Sequence, residues 1–432
     1  MAFLAVLTAD GGIPILTKTA GDIKSKLPFA SIGLLNGVHM FSRLQEVELK
    51  CAVTPDEKIS WREYHKRLVL ILITKNDVCS DCHVSNLLDN IFAALAMLVG
   101  LDVLLKQNEV LKLQKMLVVC HPLIDYLLSQ IDKEKFTIGD LTGKLDCLLA
   151  SHTRILQERM CQFLDVADSL YGCLLIKGKV IVASKEWWTL TSQEQILICS
   201  YVNSLPKVLS REIIIYLPTS SPQNSNRLIT LHLLRDVEIC VLCSSEPSLA
   251  VLEDEAPKIW RDCFDILKVV SNLHPRNFPS NIELDKNIIG LILINTETNQ
   301  CMCSVQPSND DCSAESKAIH VSEWQKKQEA LRSLYRLVVG TYFKEKDSDA
   351  DRRLRADNPC HTFDFGNCDY GDCKPGEFYM CTQENKCYVI NEVSYQIYIL
   401  YNYEIPLYAI RSVSHKTLKL LTEKRLFPTV GK

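Results

Sequence analysis

Two short apolar-rich runs, residues 2–8 and 13–19, open the chain and are joined by Asp10-Gly11-Gly12. Glycine accepts the positive φ of a tight turn, so the pattern predicts a β-hairpin. Leu27-Pro28-Phe29 follows, with proline suited to a first helical turn, and opens an apolar helix through about Phe41. Over 44–53 the period becomes two: Leu44, Glu46, Glu48 and Lys50 fall on one face, Val47, Leu49 and Cys51 on the other. That alternation predicts a half-buried strand. Strands at 57–64 and 68–73 come next, then long helical patterns over 84–106 and 110–131. The element order is β-β-α-β-β-β-α with one additional helix.

The same order returns twice. A hairpin turns at Lys177-Gly178-Lys179, a helix covers 192–203, three strands fall at 213–217, 228–233 and 237–243, and Pro247 opens a closing helix through Val270. A helix over 154–168 precedes this unit and reads as a connector. The third pass has a hairpin at 288–294 and 301–305, a helix over 322–339, strands at 378–382, 387–391 and 395–400, and a last helix over 406–424. The charged stretch Asp132-Lys133-Glu134-Lys135 and the proline-punctuated His274-Pro275-Arg276-Asn277-Phe278-Pro279-Ser280 mark the boundaries. The chain therefore divides into units at 1–135, 150–273 and 285–432, the third with a cysteine-containing insertion at 344–375. Each unit is α/β, of the α+β type. The repeat is one of architecture, because the three hairpins share little residue identity.

Composition narrows the class. With 432 residues, 47% hydrophobic and 23% charged, the chain is a folded protein of several domains. A formal net charge of −4 gives no global pull toward nucleic acid, and none is expected as a partner. The longest apolar run, 91–101, is too short to cross a bilayer and meets Asp102, so no transmembrane segment is expected. The 19 cysteines are dispersed and odd in number, unlike a secreted disulfide framework. Free thiols in a reducing, cytoplasmic setting are expected.

No catalytic apparatus stands out. Gly139-Asp140-Leu141-Thr142-Gly143-Lys144 is one residue short of a nucleotide-binding P-loop and has Leu145 where a magnesium-binding hydroxyl is needed, so it reads as a linker turn. Cys79-Ser80-Asp81-Cys82-His83 holds a C-x-x-C pair with no second pair nearby. Cys360, His361, Cys368, Cys373, Cys381 and Cys387 are of the right chemistry for zinc, but their spacing matches no standard zinc module. Cys240 and Cys243, three apart in a strand, face opposite ways and cannot share one ion. No cofactor is expected. Trp187-Trp188 reads as the edge of a core, and Arg352-Arg353-Leu354-Arg355, flanked by Asp349, Asp351 and Asp357, as a solvated loop.

The most informative segment is 27–41, Leu-Pro-Phe-Ala-Ser-Ile-Gly-Leu-Leu-Asn-Gly-Val-His-Met-Phe. A surface helix shows a polar stripe. Here nearly every face is apolar, so one side covers the helix's own sheet and another calls for a further cover. Gly33 and Gly37, four apart, permit close approach of a second backbone. Each costs about 0.8–1 kcal/mol of helix propensity relative to alanine. The expected contact surface is Ile32, Gly33, Leu35, Asn36, Gly37, His39 and Met40, with Asn36 and His39 on the outward side as its polar groups.

That segment, together with Leu98-Val99-Gly100-Leu101, Gly139-Asp140-Leu141-Thr142, Glu186-Trp187-Trp188, Ser204-Leu205-Pro206, Tyr216-Leu217-Pro218 and Glu238-Ile239-Cys240-Val241-Leu242-Cys243, resembles the Fuzzy family of planar cell polarity effectors, over roughly residues 2–300. The resemblance implies three longin domains, each an antiparallel five-stranded sheet flanked by helices. It implies pairing with Inturned and a larger CPLANE assembly with Fritz at the base of cilia. By similarity to other triple-longin heterodimers, the pair would exchange nucleotide on a Rab-family small GTPase, with peripheral membrane contact left open. The alternative is a scaffold for ciliary vesicle traffic without exchange activity. A third reading, a zinc-dependent enzyme, requires the C-terminal cysteines to assemble around an open metal site.

Overall fold

The computed structural model of the chain describes residues 2–21, 27–75, 81–106, 110–131, 138–151, 153–306, 314–341, 376–423 and 427–428. In the first unit, β1 (Ala2–Thr8), β2 (Pro14–Ala20), β3 (Cys51–Val53), β4 (Glu57–Tyr64) and β5 (Leu68–Lys75) form a sheet in the order β2-β1-β5-β4-β3. Helix α1 (Phe29–Leu44) lies between β2 and β3. The alternation over 44–53 is only partly realised as strand: the helix runs on to Leu44, Glu46 takes φ 57°, and pairing begins at Cys51. Without a partner strand to take up its hydrogen bonds, period-two alternation alone does not make a strand.

The expected helix over 84–106 is two. Helix α2 (Asp81–Val99) ends at Gly100, and α3 (Leu101–Leu105) begins beyond it. Gly100 has φ +89°, and a side chain there would come within 3.3 Å of the Tyr216 ring in the second unit. The break thus serves an interdomain approach that local periodicity cannot register. The pattern over 110–131 is likewise divided, into α4 (Val110–Met116), a 3₁₀ turn and α5 (His121–Ser129), with Pro122 in the first turn of α5. Helix α6 (Ile138–Thr142) and the two-residue β6 (Leu145–Asp146) lead out of the unit.

The second unit contains α7 (Thr153–Val166), β7 (Tyr171–Ile176), β8 (Lys179–Ala183), α8 (Ser192–Ser204), β9 (Ser210–Leu217), β10 (Ser221–Leu234), β11 (Val237–Cys243), α9 (Leu249–Trp260) and α10 (Phe264–Ser271), with sheet order β8-β7-β11-β10-β9. Thr191 and Glu194 form a reciprocal capping box that starts α8. The helix expected as a connector is structural instead. Leu156, Met160, Phe163 and Leu164 of α7 are buried against the sheet with Leu252 and Trp260 of α9.

The third unit contains β12 (Ile288–Asn295), β13 (Gln300–Val305), α11 (Ala314–Thr341), β14 (Glu377–Cys381), β15 (Asn385–Asn391), β16 (Tyr395–Asn402) and α12 (Leu407–Glu423). Five of its strands are antiparallel, and β6 adds a sixth, parallel to β13, giving β14-β15-β16-β12-β13-β6. The stretch between the first two units is therefore no free linker. Leu145 and Cys147 donate backbone hydrogen bonds to Asn299 and Cys301 of the third unit, while Leu148 donates to Val180 of the second. One extended segment thereby caps an edge of two sheets, positions where unpaired N–H and C=O groups would otherwise face solvent.

Strand alternation sorts the apolar residues into two kinds of core. Leu4 and Val6, Cys173 and Leu175, and Leu291 and Leu293 face one continuous central core shared by all three units. Phe3, Ala5 and Leu7 face α1, Leu174 and Ile176 face α7 and α9, and Ile292 and Ile294 face α11. Cys240 lies in the central core and Cys243 in the outer one of the second unit, on opposite faces of β11 as the spacing requires.

Candidate partner-docking face

Helix α1 covers the outer face of the first sheet. Ile32 packs with Phe3, Ala5, Leu7, Trp61, Ile71 and Ile73. Trp61 Nε1 donates to the carbonyl of Leu35 at 3.2 Å, and Leu35 itself is half-buried. Asn36 and His39 continue this inward stripe at helical spacing, each 5% exposed. Asn36 Nδ2 donates to Met40 Sδ at 3.3 Å, and a Cβ on Gly12 of the β1–β2 turn would fall 2.2 Å from that same nitrogen. Gly12, at φ +59°, thus lets the turn sit directly on Asn36. His39 Nε2 lies 3.4 Å from Glu63 Oε2, and Arg43 stands 3.8 Å from both Glu63 and Asp10.

The expectation that Asn36 and His39 point outward is therefore corrected. The seven residues divide: Ile32, Asn36 and His39 are buried toward the sheet, Leu35 lies at the boundary, and Gly33, Gly37 and Met40 are exposed. Alongside those last three run Phe29, Leu34, Val38, Phe41 and Leu44, with Leu34, Phe41 and Leu44 at 69%, 65% and 79% exposure. Among the described residues nothing lies within 4 Å of a Cβ placed on Gly33 or Gly37. The helix has its polar stripe inside and its apolar face in solvent. Ile32, Asn36 and His39 share one face at helical spacing, but polar groups on an otherwise apolar helix are ordinarily assigned to solvent.

Burial lowers the pKa of His39, and the facing Glu63 carboxylate only partly opposes this. Unfolded, the ring takes a proton near about 6.5; folded, it resists it. As pH falls through about 6.5 the unfolded state binds more protons, and the helix–sheet contact loses stability. The double change Asn36→Ala, His39→Ala is expected to cost about 2–3 kcal/mol at neutral pH, from the lost packing and the hydrogen-bonding partners left behind. It should also flatten the acid limb of stability. Denaturant melts at pH 7.5 and 5.5 check both, and wild-type stability in the double variant would place this stripe outside the core.

The internal repeat provides a measure of what α1 lacks. Helix α8 occupies the corresponding position of the second unit, between hairpin and third strand, and every residue from Glu194 to Val202 is buried. Its second side is covered by α5 of the first unit, where Leu123, Ile124, Leu127 and Leu128 join Ile196, Leu197 and Tyr201 in the central core. Asn90 of α2 accepts from Gln193, and Tyr126 of α5 accepts from Asn203, at 3.0 and 3.3 Å. Among the described residues nothing comparable covers the outer side of α1, where Phe29, Leu34, Val38, Phe41 and Leu44 stay exposed.

Family models described as the first, second and third longin domains of FUZ, MON1 and HPS1 match residues 2–127, 167–261 and 287–425. The fuzzy homologue of Xenopus tropicalis is 34% identical over 424 residues, 98% of each chain. The chain belongs to the fuzzy family. The human fuzzy homologue is 33% identical over 344 residues, 79% of each chain, and that of the rat 31% over 363 residues, 83% of this chain and 84% of its own. The family likeness, read in the sequence over residues 2–300, extends through the third longin domain. In this fuzzy-family chain α1 is the helix between the hairpin and the third strand in the first longin domain, α8 in the second and α11 in the third.

Among the described residues, the others singled out in the sequence do not gather into a chemical site. Trp187 is fully buried and Trp188 half-buried, at the edge of the central core. Cys381 is exposed on β14 and Cys387 buried on β15. Cys360, His361, Cys368, Cys373, Cys79 and the run Arg352–Arg355 lie outside the described residues. Among the described residues no three metal-ligating side chains come together, and no helix is long and apolar enough to cross a membrane.

Proposed function

We propose that this fuzzy-family chain is a non-catalytic subunit that pairs with Inturned through the outer face of α1. The pair, assembled further with Fritz at the base of cilia, would serve ciliogenesis and planar cell polarity as an exchange platform for a Rab-family GTPase. The observation that carries the pairing is the contrast between α8, enclosed on both sides, and α1, enclosed on one. An exposed apolar patch of this extent is a docking surface or an aggregation liability. Gly33 and Gly37, with open space above them, suit the close approach of a partner's backbone.

Exchange needs no active-site chemistry. A surface that binds the nucleotide-free GTPase more tightly than the loaded one speeds release by that difference in affinity. The burial of Asn36 and His39 favours a narrower role for α1 itself: its outer face offers apolar contact for pairing, and polar contacts to a GTPase would come from elsewhere in the pair. Co-expression with Inturned is expected to yield a one-to-one complex that accelerates GDP release from a cognate Rab. A one-to-one complex without acceleration would establish the scaffold alternative. A chain that stays monomeric beside Inturned would overturn the pairing.

A further inference from the structure

The first two longin domains and the segment joining them meet around a cleft of about 60 Å³. Tyr126 reaches it from α5, Lys144 and Asp146 from the joining segment, Lys177 and Lys179 from the β7–β8 turn, and Ser200 and Asn203 from α8. Three ammonium groups and one carboxylate leave an excess of positive charge in a chain whose formal net charge is −4. Asp146 is committed to Lys179, at 2.5 Å. Among the described residues Lys144 Nζ donates to a neutral acceptor, Asn299 Oδ1, at 2.5 Å, and burial depresses its pKa. Lys177 stands exposed at the mouth and has no ion pair among the described residues. The neighbouring His274 has its pKa lowered by burial first and then by Lys179 and Lys177, with Asn277 and Asp146 opposing.

We infer that this junction binds a single phosphate group, held by the ammonium groups of Lys144 and Lys177 with Ser200 and Asn203 as neutral donors. The size of the cleft sets the class: it is far smaller than the roughly 300 Å³ at which sites for larger ligands begin, so a nucleotide base has no room. Lysine contributes a compact charge suited to phosphate. The turn that falls short of a P-loop takes part, but through its side chain. The Lys144 N–H donates to the Gly139 carbonyl at 3.2 Å, so that backbone is closed on itself and does not cradle the anion. A phosphate here would touch groups from the first two domains and the joining segment, and Lys144 bridges onward to the third through Asn299. Occupancy therefore stabilises the assembled chain by mass action. This inference does not depend on what covers α1.

The ligand is either free phosphate or the headgroup phosphate of a lipid, and two measurements separate them. In the first, the full chain is melted in increasing inorganic phosphate at constant ionic strength. A rise in Tm of about 2 °C is expected at saturation. It should be lost in Lys177→Gln and in Lys144→Gln and kept in Lys258→Gln, an exposed position on α9. In the second, flotation with vesicles of phosphatidylcholine carrying phosphatidylinositol phosphate is compared for the same proteins. Flotation lost in Lys177→Gln but kept in Lys258→Gln, without a phosphate-dependent Tm, assigns the site to a headgroup. The inference is overturned if neither effect occurs, or if Lys177→Gln and Lys144→Gln respond as the wild type does.

Discussion

Gly37→Leu is expected to stabilise the isolated chain and to abolish pairing. Gly37 is mid-helix on α1, and no heavy atom of the described residues lies within 4 Å of the added Cβ, so the substitution opens onto free space at its root. Relieving a helix-interior glycine contributes about 0.8–1 kcal/mol, visible as a small rise in Tm. In the pair the same side chain would stand where a partner's backbone must approach, and the loss in affinity is expected to be about 100-fold or more, as at the centre of a packed interface. Opposite signs in stability and binding are the informative feature, since a folding defect would lower both. Leu34→Asp is the companion: at 69% exposure it should fold normally, self-associate less and fail to pair. A Gly37→Leu chain that melts lower than the wild type would show that the face is packed internally. One that pairs with undiminished affinity would remove α1 from the interface.

The second large effect is expected at Asp146, where the joining segment enters the third sheet. Asp146 and Lys179 are 12% and 14% exposed and 2.5 Å apart. Burial alone would lower the Lys179 pKa, and the Asp146 carboxylate more than offsets it, holding the ammonium charged. Asp146→Ala leaves that charge buried without its counter-ion, a change that typically costs about 3–5 kcal/mol. Removing both charges, as Asp146→Ala with Lys179→Met, should recover much of the loss, because the desolvation penalty disappears with the pair. Chemical denaturation of the two variants checks this. A single Asp146→Ala variant within about 0.5 kcal/mol of wild type would mean that the lysine reaches solvent and that the junction is looser than the geometry indicates.

The three longin units, their hairpins and the span of α8 were legible because each rests on neighbours in the chain. A period of two or 3.6 or a glycine in a turn declares itself within a few residues. The all-round apolar character of 27–41 belongs to the same class, and it marked α1 without revealing which side lay inside. Orientation depended on Glu63 and on the turn at Gly12, which reach His39 and Asn36 only once the sheet has formed. Both faces of the central strands in each sheet are buried, so alternation there carried no inside and outside of its own.

What the sequence alone determined about this protein is its element order, its threefold repetition and the helix that stands apart from the rest. Tertiary structure decided the remainder: α7 as a layer of the second domain, the break at Gly100 against Tyr216, the segment 145–148 as a shared sheet edge, and the lysines gathered at one cleft. These features join residues far apart in the chain, Lys144 with Asn299 and Cys147 with Cys301 among them. Periodicity records how a segment meets its own surroundings, one face at a time. Which distant segment supplies those surroundings is settled only when the sheets close their edges and bury their charges together.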